Sequence, residues 1–119
     1  MNPVRKAIES MYKGVCTIKE YRDVKDPNTH ISRKQEVEVI KDQPCRLSYS
    51  KITSTGQSNS SSPVIQTIKL FISPDIEVKP GSKLIVTQNG KTTEFARSGE
   101  PALYTHHQEI TLELFKEYA

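Results

Sequence analysis

The three histidines are the first side chains to consider for metal or acid–base chemistry. His106 and His107 are adjacent, and His30 stands alone beside a predicted turn. Adjacent residues of a strand point to opposite faces, so His106 and His107 are poorly placed to bind one metal ion together. The sequence offers no third ligand at a suitable spacing. We therefore expect solvent-facing loop histidines and no metal centre.

Nucleophilic and phosphate-binding motifs are also incomplete. No serine lies in a Gly-x-Ser-x-Gly setting. The segment 79–83, Lys-Pro-Gly-Ser-Lys, resembles a phosphate loop but lacks the second glycine and the Gly-Lys-Ser/Thr ending. Glu36 and Glu38 alternate along a predicted strand, which is more typical of an exposed face than of an acid–base pair. We predict that the protein is not an enzyme and uses no cofactor.

Cys16 and Cys45 lie far apart in the sequence. A metal site would need more ligands at closer spacing. We predict reduced, partly buried thiols. A disulfide remains the alternative if neighbouring strands bring the two side chains together.

Composition indicates one small, polar domain over residues 1–119. Hydrophobic residues make up 34% of the chain, charged residues 26%, and the net charge is +3. No run approaches the ~18 apolar residues of a membrane span. No block of like charges suggests a nucleic-acid tail or a membrane-surface patch. The first residues lack the apolar segment of a signal peptide, so we expect a cytoplasmic protein.

The N-terminal residues 3–12 have the pattern of a short helix. Asn2 can cap it, and Pro3 suits the first helical position. Apolar residues recur at helical spacing: Val4, Ala7, Ile8 and Met11. A helix of this length is marginal alone, so we expect its apolar stripe to dock on the body of the domain or on a neighbouring subunit.

After Gly14 the apolar period becomes two residues, which is typical of β-strands. The predicted strands are 15–21, 35–40, one starting at 44, 64–73, 84–88, 91–97, 102–105 and 109–115. Turn sequences separate them at 26–29, at Pro80-Gly81 and at Asn89-Gly90. A helix is the rival for the last segment, but its alternation favours a strand. We predict an all-β fold: a small antiparallel barrel or sandwich of about seven strands with a short N-terminal helix.

The large side chains are mostly assigned to the core. Segment 64–73 should be a central strand covered on both faces. Tyr49, Phe71 and Phe95 are predicted core residues, which leaves few aromatics for stacking on bases. An OB-like single-stranded nucleic-acid-binding module is therefore kept only as the alternative function.

Segment 53–63 contains no charge and no aliphatic or aromatic side chain. Such a segment cannot offset its ordering entropy by burial, so we expect a flexible loop. A tolerated surface insertion is the alternative to a functional loop. The candidate functional residues within it are Ser54, Thr55, Gly56, Gln57, Ser58, Asn59, Ser60, Ser61 and Ser62.

Five segments resemble a family of small tailed-phage proteins encoded in the head–tail connector block of prophages. They are Tyr-Lys-Gly-Val-Cys-Thr-Ile at 12–18, Asp-Pro-Asn-Thr at 26–29, Gln-Pro-Cys-Arg-Leu-Ser-Tyr at 43–49, Leu-Phe-Ile-Ser-Pro at 70–74 and Ile-Glu-Val-Lys-Pro-Gly-Ser-Lys at 76–83. This chain is similar to the XkdH and YqbH proteins of defective Bacillus prophages, which belong to that family. The resemblance extends from about residue 8 to residue 115 and is carried by turns and strand cores.

The resemblance implies a structural virion protein, the head-completion stopper. Such β-barrel subunits form a ring below the portal and adaptor, and a loop from each subunit closes the channel after DNA packaging. Segment 53–63 matches the position of that gating loop. The implied partners are the portal/adaptor ring, tail-joining proteins and copies of the chain itself, with only indirect contact with packaged DNA and no membrane. The implied places are the bacterial cytoplasm during assembly and then the virion, with a monomer in isolation. A tail-joining protein would share the small β fold and is the alternative connector position.

Overall fold

A computed structural model describes residues 3–53 and 64–118. The chain begins with helix α1, Pro3–Glu9, and continues with seven strands. They are β1 Gly14–Lys25, β2 Ser32–Thr53, β3 Val64–Ile72, β4 Lys83–Gln88, β5 Lys91–Arg97, β6 Ala102–Leu103 and β7 Gln108–Leu114. The predicted all-β antiparallel fold with a short N-terminal helix is confirmed. Among the described residues, no helix has the length and apolar character needed to cross a membrane.

All seven strands belong to one antiparallel sheet that closes on itself. Their order is β3-β2-β1-β4-β5-β7-β6, and β3 also pairs with β7. The closing register joins Ile68 to Leu112 and Leu70 to Ile110. The first six strands of this order therefore form a hydrogen-bonded ring, and the short β6 pairs with Gln108 and Glu109 of β7 on the edge that β5 occupies from Leu112 onward.

The inward face of the ring holds the hydrophobic core. Alternate residues of each strand point inward, as the period of two predicts. The buried apolar residues are Cys16, Ile18, Cys45, Leu47, Leu70, Ile72, Val78, Leu84, Val86, Phe95, Ile110 and Leu112. Each fully buried large aliphatic or aromatic side chain contributes roughly 1.5–3 kcal/mol. The predicted core position of Phe95 is confirmed.

Strand β2 corrects the sequence interpretation, which placed two separate strands at 35–40 and from Pro44. The structure has a single strand of 22 residues. Asp42 takes a positive φ of 53° beside a register shift between β1 and β2, and the strand continues through it. Cys45 pairs with Gly14 of β1 and with Ile72 of β3, so the two partners lie on opposite edges of β2. The β1–β2 and β2–β3 hydrogen-bond ladders overlap at Cys45. Pairing with both neighbours therefore keeps residues 41–44 in the strand, where the sequence predicted a break between two strands.

The N-terminal helix is shorter than predicted and docks differently. It ends at Glu9, not at residue 12, and none of its residues is buried. Val4 and Met11 are 53% and 63% exposed, so the predicted apolar stripe is not a buried face. Arg5 instead ties the helix to the segment after β3, with its Nη2 2.7 Å from Oδ2 of Asp75 and hydrogen-bonded to Oγ of Ser73. The proposed cap, Asn2, lies outside the described residues.

Two hairpin extensions make the molecule elongated. The radius of gyration is 17.5 Å and the principal extents are 64 × 41 × 27 Å. A compact chain of this length would have a radius of about 13 to 14 Å. We call residues 20–25 paired with 32–37 the charged arm, and residues 50–53 paired with 64–67 the neutral arm. In both arms the two strands pair only with each other in the described structure, because β4 pairs with β1 up to Lys19 and β7 pairs with β3 from Ile68.

Candidate functional site

The predicted gating segment, residues 54–62, lies outside the described residues. The structure does describe the two positions that this segment joins. Thr53 and Val64 are paired across β2 and β3, and the register continues without a shift to Cys45 and Ile72. The candidate loop is therefore anchored on two strand ends that are held side by side at the end of the neutral arm.

The neutral arm differs from the charged arm in chemistry as well as in position. Among its eight residues Lys51 is the single charged one, whereas seven of the twelve residues of the charged arm carry a charge. Charged residues on open strand edges discourage pairing with other chains. The charged arm has this protection, whereas the neutral arm has a single charged residue, Lys51.

A side chain completes the edge of β2 at the base of the neutral arm. Strand β1 starts at Gly14, so it leaves Leu47 of β2 without a strand neighbour on that edge. The Gln88 amide fills this place: its Oε1 accepts from the Leu47 N–H at 2.8 Å, and its Nε2 donates to the Leu47 carbonyl at 3.3 Å. A Cβ at position 14 would stand 3.1 Å from this Oε1, so the glycine leaves room for the Gln88 side chain.

The point at which β2 leaves the ring explains why the prediction for Tyr49 is wrong. The sequence assigns this residue to the core, but it is 50% exposed. Its side chain lies on the same face of β2 as Cys45 and Leu47. At this position, however, β2 has already passed the last residue that pairs with β1, which is Cys45. Phe71, also predicted as core, is only half-buried. The apolar side chains of β2 therefore continue from the core out onto the base of the neutral arm.

The base of the charged arm is fastened by the end of the chain. We call residues 115–118 the C-terminal strap. The strap begins with the Phe115 N–H donating to the Glu94 carbonyl at 3.1 Å. It ends with the Tyr118 ring stacked on Tyr21 of the arm, at 4.5 Å between centroids and 10° between planes. The strap thus joins β5 of the ring to the strands of the charged arm.

Glu36 is the charged centre of this contact. Its Oε2 accepts from Lys83 Nζ at 2.7 Å and from the Tyr118 hydroxyl at 2.8 Å, and its Oε1 lies 3.1 Å from Lys19 Nζ. The bonds from Lys83, Tyr118 and Lys19 lower the pKa of the Glu36 carboxyl to about 2. Burial and the bond to Glu36 raise the pKa of Tyr118. Lys83 also lies 4.8 Å from the centroid of the Phe115 ring, a cation–π contact.

The prediction of solvent-facing histidines is wrong for both His106 and His107, which are half-buried. His107 is half-buried rather than free in solvent: it stacks on Tyr104 at 4.7 Å and on Phe71 at 5.9 Å between ring centroids. Its Nε2 lies 3.0 Å from Oε2 of Glu109. These contacts cover the outer face of β3, so the His107 imidazole has a packing role. Within residues 3–53 and 64–118, no group of three or more potential ligands is placed to hold a metal ion.

The two cysteines are free thiols, as predicted, and are fully buried. The strand register brings them together on the inner face, where Cys16 and Cys45 are hydrogen-bonded. That bond and the burial of the thiol raise the pKa of Cys16. The Cys16 thiol is therefore a poor nucleophile. Both cysteine side chains belong to the buried hydrophobic core.

Comparison with known proteins gives a likeness at the level of the fold. The chain is similar to the protein xkdH of the phage-like element PBSX from Bacillus subtilis, with a TM-score of 0.51 over 84% of this chain and 91% of that one. The fold is that of xkdH. Sequence identity is 12%, so this likeness concerns the fold alone. No family model matches the sequence, and no curated protein matches it either. The sequence-based resemblance to phage proteins of this type is thus confirmed for the fold.

Proposed function

We propose that this chain is a structural virion protein of a phage or prophage head–tail connector, acting as the head-completion stopper. In this role it closes the portal channel and retains packaged DNA. The observation that carries the proposal is the xkdH fold, shared over most of both chains with a protein of a phage-like element. The sequence resemblance, which covers about residues 8–115, supports the same role.

The neutral arm supports the gating part of the proposal. It holds Thr53 and Val64, the nearest described residues on either side of segment 54–62, paired at the end of a hairpin that leaves the ring. DNA binding by proteins is dominated by cationic side chains on phosphates, and this segment has none. Loops of this composition would close a channel by occupying space and would release DNA without breaking ion pairs.

Assembly into a ring would bring these segments together. A ring requires a head-to-tail contact in which two different surfaces of the chain meet. Segments gathered at the centre of the ring would pack against their symmetry mates. We propose the portal/adaptor ring and tail-joining proteins as the other partners. The isolated chain would be a monomer in the bacterial cytoplasm and would act in the virion without catalysis.

Deleting residues 54–62 tests the gating role. The segment joins paired strand ends, so a short turn in its place should leave the ring folded, as circular dichroism would show. Particles assembled with this variant should package DNA and then lose it. The measurement is the nuclease-protected DNA per particle after packaging.

A matched replacement separates gating from folding. Exchanging 54–62 for a Gly/Ser sequence of equal length should preserve DNA retention, because closure depends on occupied space. Normal retention by the deletion variant would show that this segment is not the gate. Salt-sensitive binding of short single-stranded DNA by the isolated chain, without docking to a portal–adaptor complex, would favour the nucleic-acid-binding alternative.

A further inference from the structure

A surface cavity lies between the charged arm and the turn that precedes β4. Its volume is about 250 Å³, and it is lined by Glu20, Tyr21, Arg22, Lys34, Lys79, Pro80, Gly81, Ser82 and Tyr118. We propose that this cavity binds an acidic segment of a partner protein. The inference goes beyond the stopper function, because it concerns a different surface from segment 54–62.

Cationic side chains predominate in the lining. Arg22, Lys34 and Lys79 contribute three positive charges, and Glu20 contributes one negative charge. Glu20 lies 3.1 Å from the Arg22 guanidinium and is largely buried, so its charge is already paired. In the described structure neither Lys34 nor Lys79 forms an ion pair. Two ammonium groups therefore remain to attract an anion into the cavity.

The turn at the edge of the cavity leaves its backbone open to a ligand. Its closing hydrogen bond runs from the Ser82 N–H to the Lys79 carbonyl at 3.2 Å. Gly81 has φ of +84°, and no described atom lies within 4 Å of where its Cβ would stand, so a ligand can approach the backbone there closely. The turn thus places an open stretch of backbone in the same lining as the two lysines.

The chemistry of the surroundings favours carboxylates over a nucleic-acid strand. Binding a strand requires basic residues that follow successive phosphates and aromatic faces that are open for stacking. Tyr21 and Tyr118 already stack on each other, and Tyr118 also packs edge-on against Phe115. Asp23 is the cross-strand partner of Lys34, so an acidic residue interrupts a basic track along the arm. The positive charge is therefore confined to one concave site, which suits one or a few acidic side chains.

A labelled octapeptide of alternating Asp and Glu provides the test on the full chain. Its addition at low salt should shift the backbone amide resonances of Gly81, Ser82 and Lys34. The uncharged control, an octapeptide of alternating Asn and Gln, should leave these resonances unchanged. Replacing both lysines, Lys34→Gln with Lys79→Gln, should weaken binding by about fivefold or more, as expected for the loss of two partly screened ion pairs. Raising the salt concentration should reduce the difference.

Two exposed lysines elsewhere provide the control of equal charge. The pair Lys41→Gln with Lys91→Gln should leave peptide affinity nearly unchanged. Equal weakening in both double variants, or peptide shifts away from Gly81 and Ser82, would overturn the site. So would a single-stranded oligonucleotide of equal charge that binds there more tightly than the peptide. Concentration-dependent self-association lost in the Lys34/Lys79 variant would identify the acidic partner as a second copy. None of these readouts depends on DNA retention, so failure of the peptide-binding proposal would leave the stopper proposal untouched, and the reverse also holds.

Discussion

Glu36 is the residue at which the charged arm, the ring and the C-terminal strap meet. Its carboxyl has a pKa of about 2 in the folded chain, below the usual value of 4.5. The stabilisation from this shift is fully present above the unfolded pKa and is lost as the pH falls from that value towards 2. We therefore predict that the stability difference between the wild type and Glu36→Gln shrinks as the pH falls from about 6 to about 2. Urea denaturation at several pH values measures it.

Glu113→Gln serves as the matched control for that titration. Glu113 is exposed on β7, and its carboxylate has no ion-pair partner within the described chain. The stability difference between the wild type and this variant should change little over the same range. A constant offset for Glu36→Gln across the range would show that its contacts do not couple to protonation.

Individual residues were predictable where the local pattern decides their position. Phe95 and Ile110 are inward members of alternating strands, and both are buried. Tyr49 lies in an equally clear alternation but is half-exposed, because the strand leaves the ring at that point. The bond between Tyr118 and Glu36 joins residues 82 positions apart. No local sequence pattern contains such a contact, so the sequence could not predict it.

At the scale of elements, the C-terminal strap should determine how firmly the charged arm is held. Tyr118→Ala removes the ring stacked on Tyr21 and the hydroxyl bonded to Glu36. We predict faster amide hydrogen exchange across residues 20–25 and 32–37, because local opening of the arm then breaks fewer contacts. Exchange measured by mass spectrometry reports this change.

The neutral arm is the internal control, since the strap makes no described contact with it. Exchange at residues 50–53 and 64–67 should be unaffected by Tyr118→Ala. Tyr104→Ala, which removes a ring stacked on His107, should leave both arms unchanged. Equal acceleration in both arms would indicate global destabilisation, and the strap would then have no specific role.

Hairpins were the most predictable elements, because their turns require particular residues. Asn89 and Gly90 both have positive φ, as a two-residue turn between β4 and β5 demands. The turn after β1 is also confirmed, with Asp26 Oδ1 accepting from the Asn28 N–H at 2.8 Å. Strand β2 was missed because its continuity comes from two partner strands, which the local sequence around Asp42 does not reveal.

For the whole molecule, the arms account for shape and the ring for stability. The buried apolar core lies on the ring strands and on Val78, outside both arms. Joining Arg22 to Gln35 through an Asn-Gly turn removes the outer part of the charged arm but keeps Tyr21 and Glu36. We predict a smaller radius of gyration in solution scattering than for the full chain, with a single cooperative unfolding transition preserved.

The opposite outcome is informative as well. A shortened chain that unfolds without cooperativity would show that the arm contributes to the fold and not only to its shape. Unchanged scattering would show that the arm lies against the ring in solution. The variant lacking residues 54–62 allows the same scattering and unfolding measurements to be made for a deletion at the neutral arm.

The continuity of β2 has a mechanical consequence. A strand of 22 residues extends about 70 Å at ~3.3 Å per residue, close to the 64 Å long dimension of the molecule. Its two ends therefore lie in the two arms, Ser32 in the charged arm and Thr53 in the neutral arm. Pushing one end along the strand axis would have to shear the ladders with β1 and β3 together, and their hydrogen bonds resist sliding jointly. A force on the charged arm would therefore be transmitted through β2 to the neutral arm.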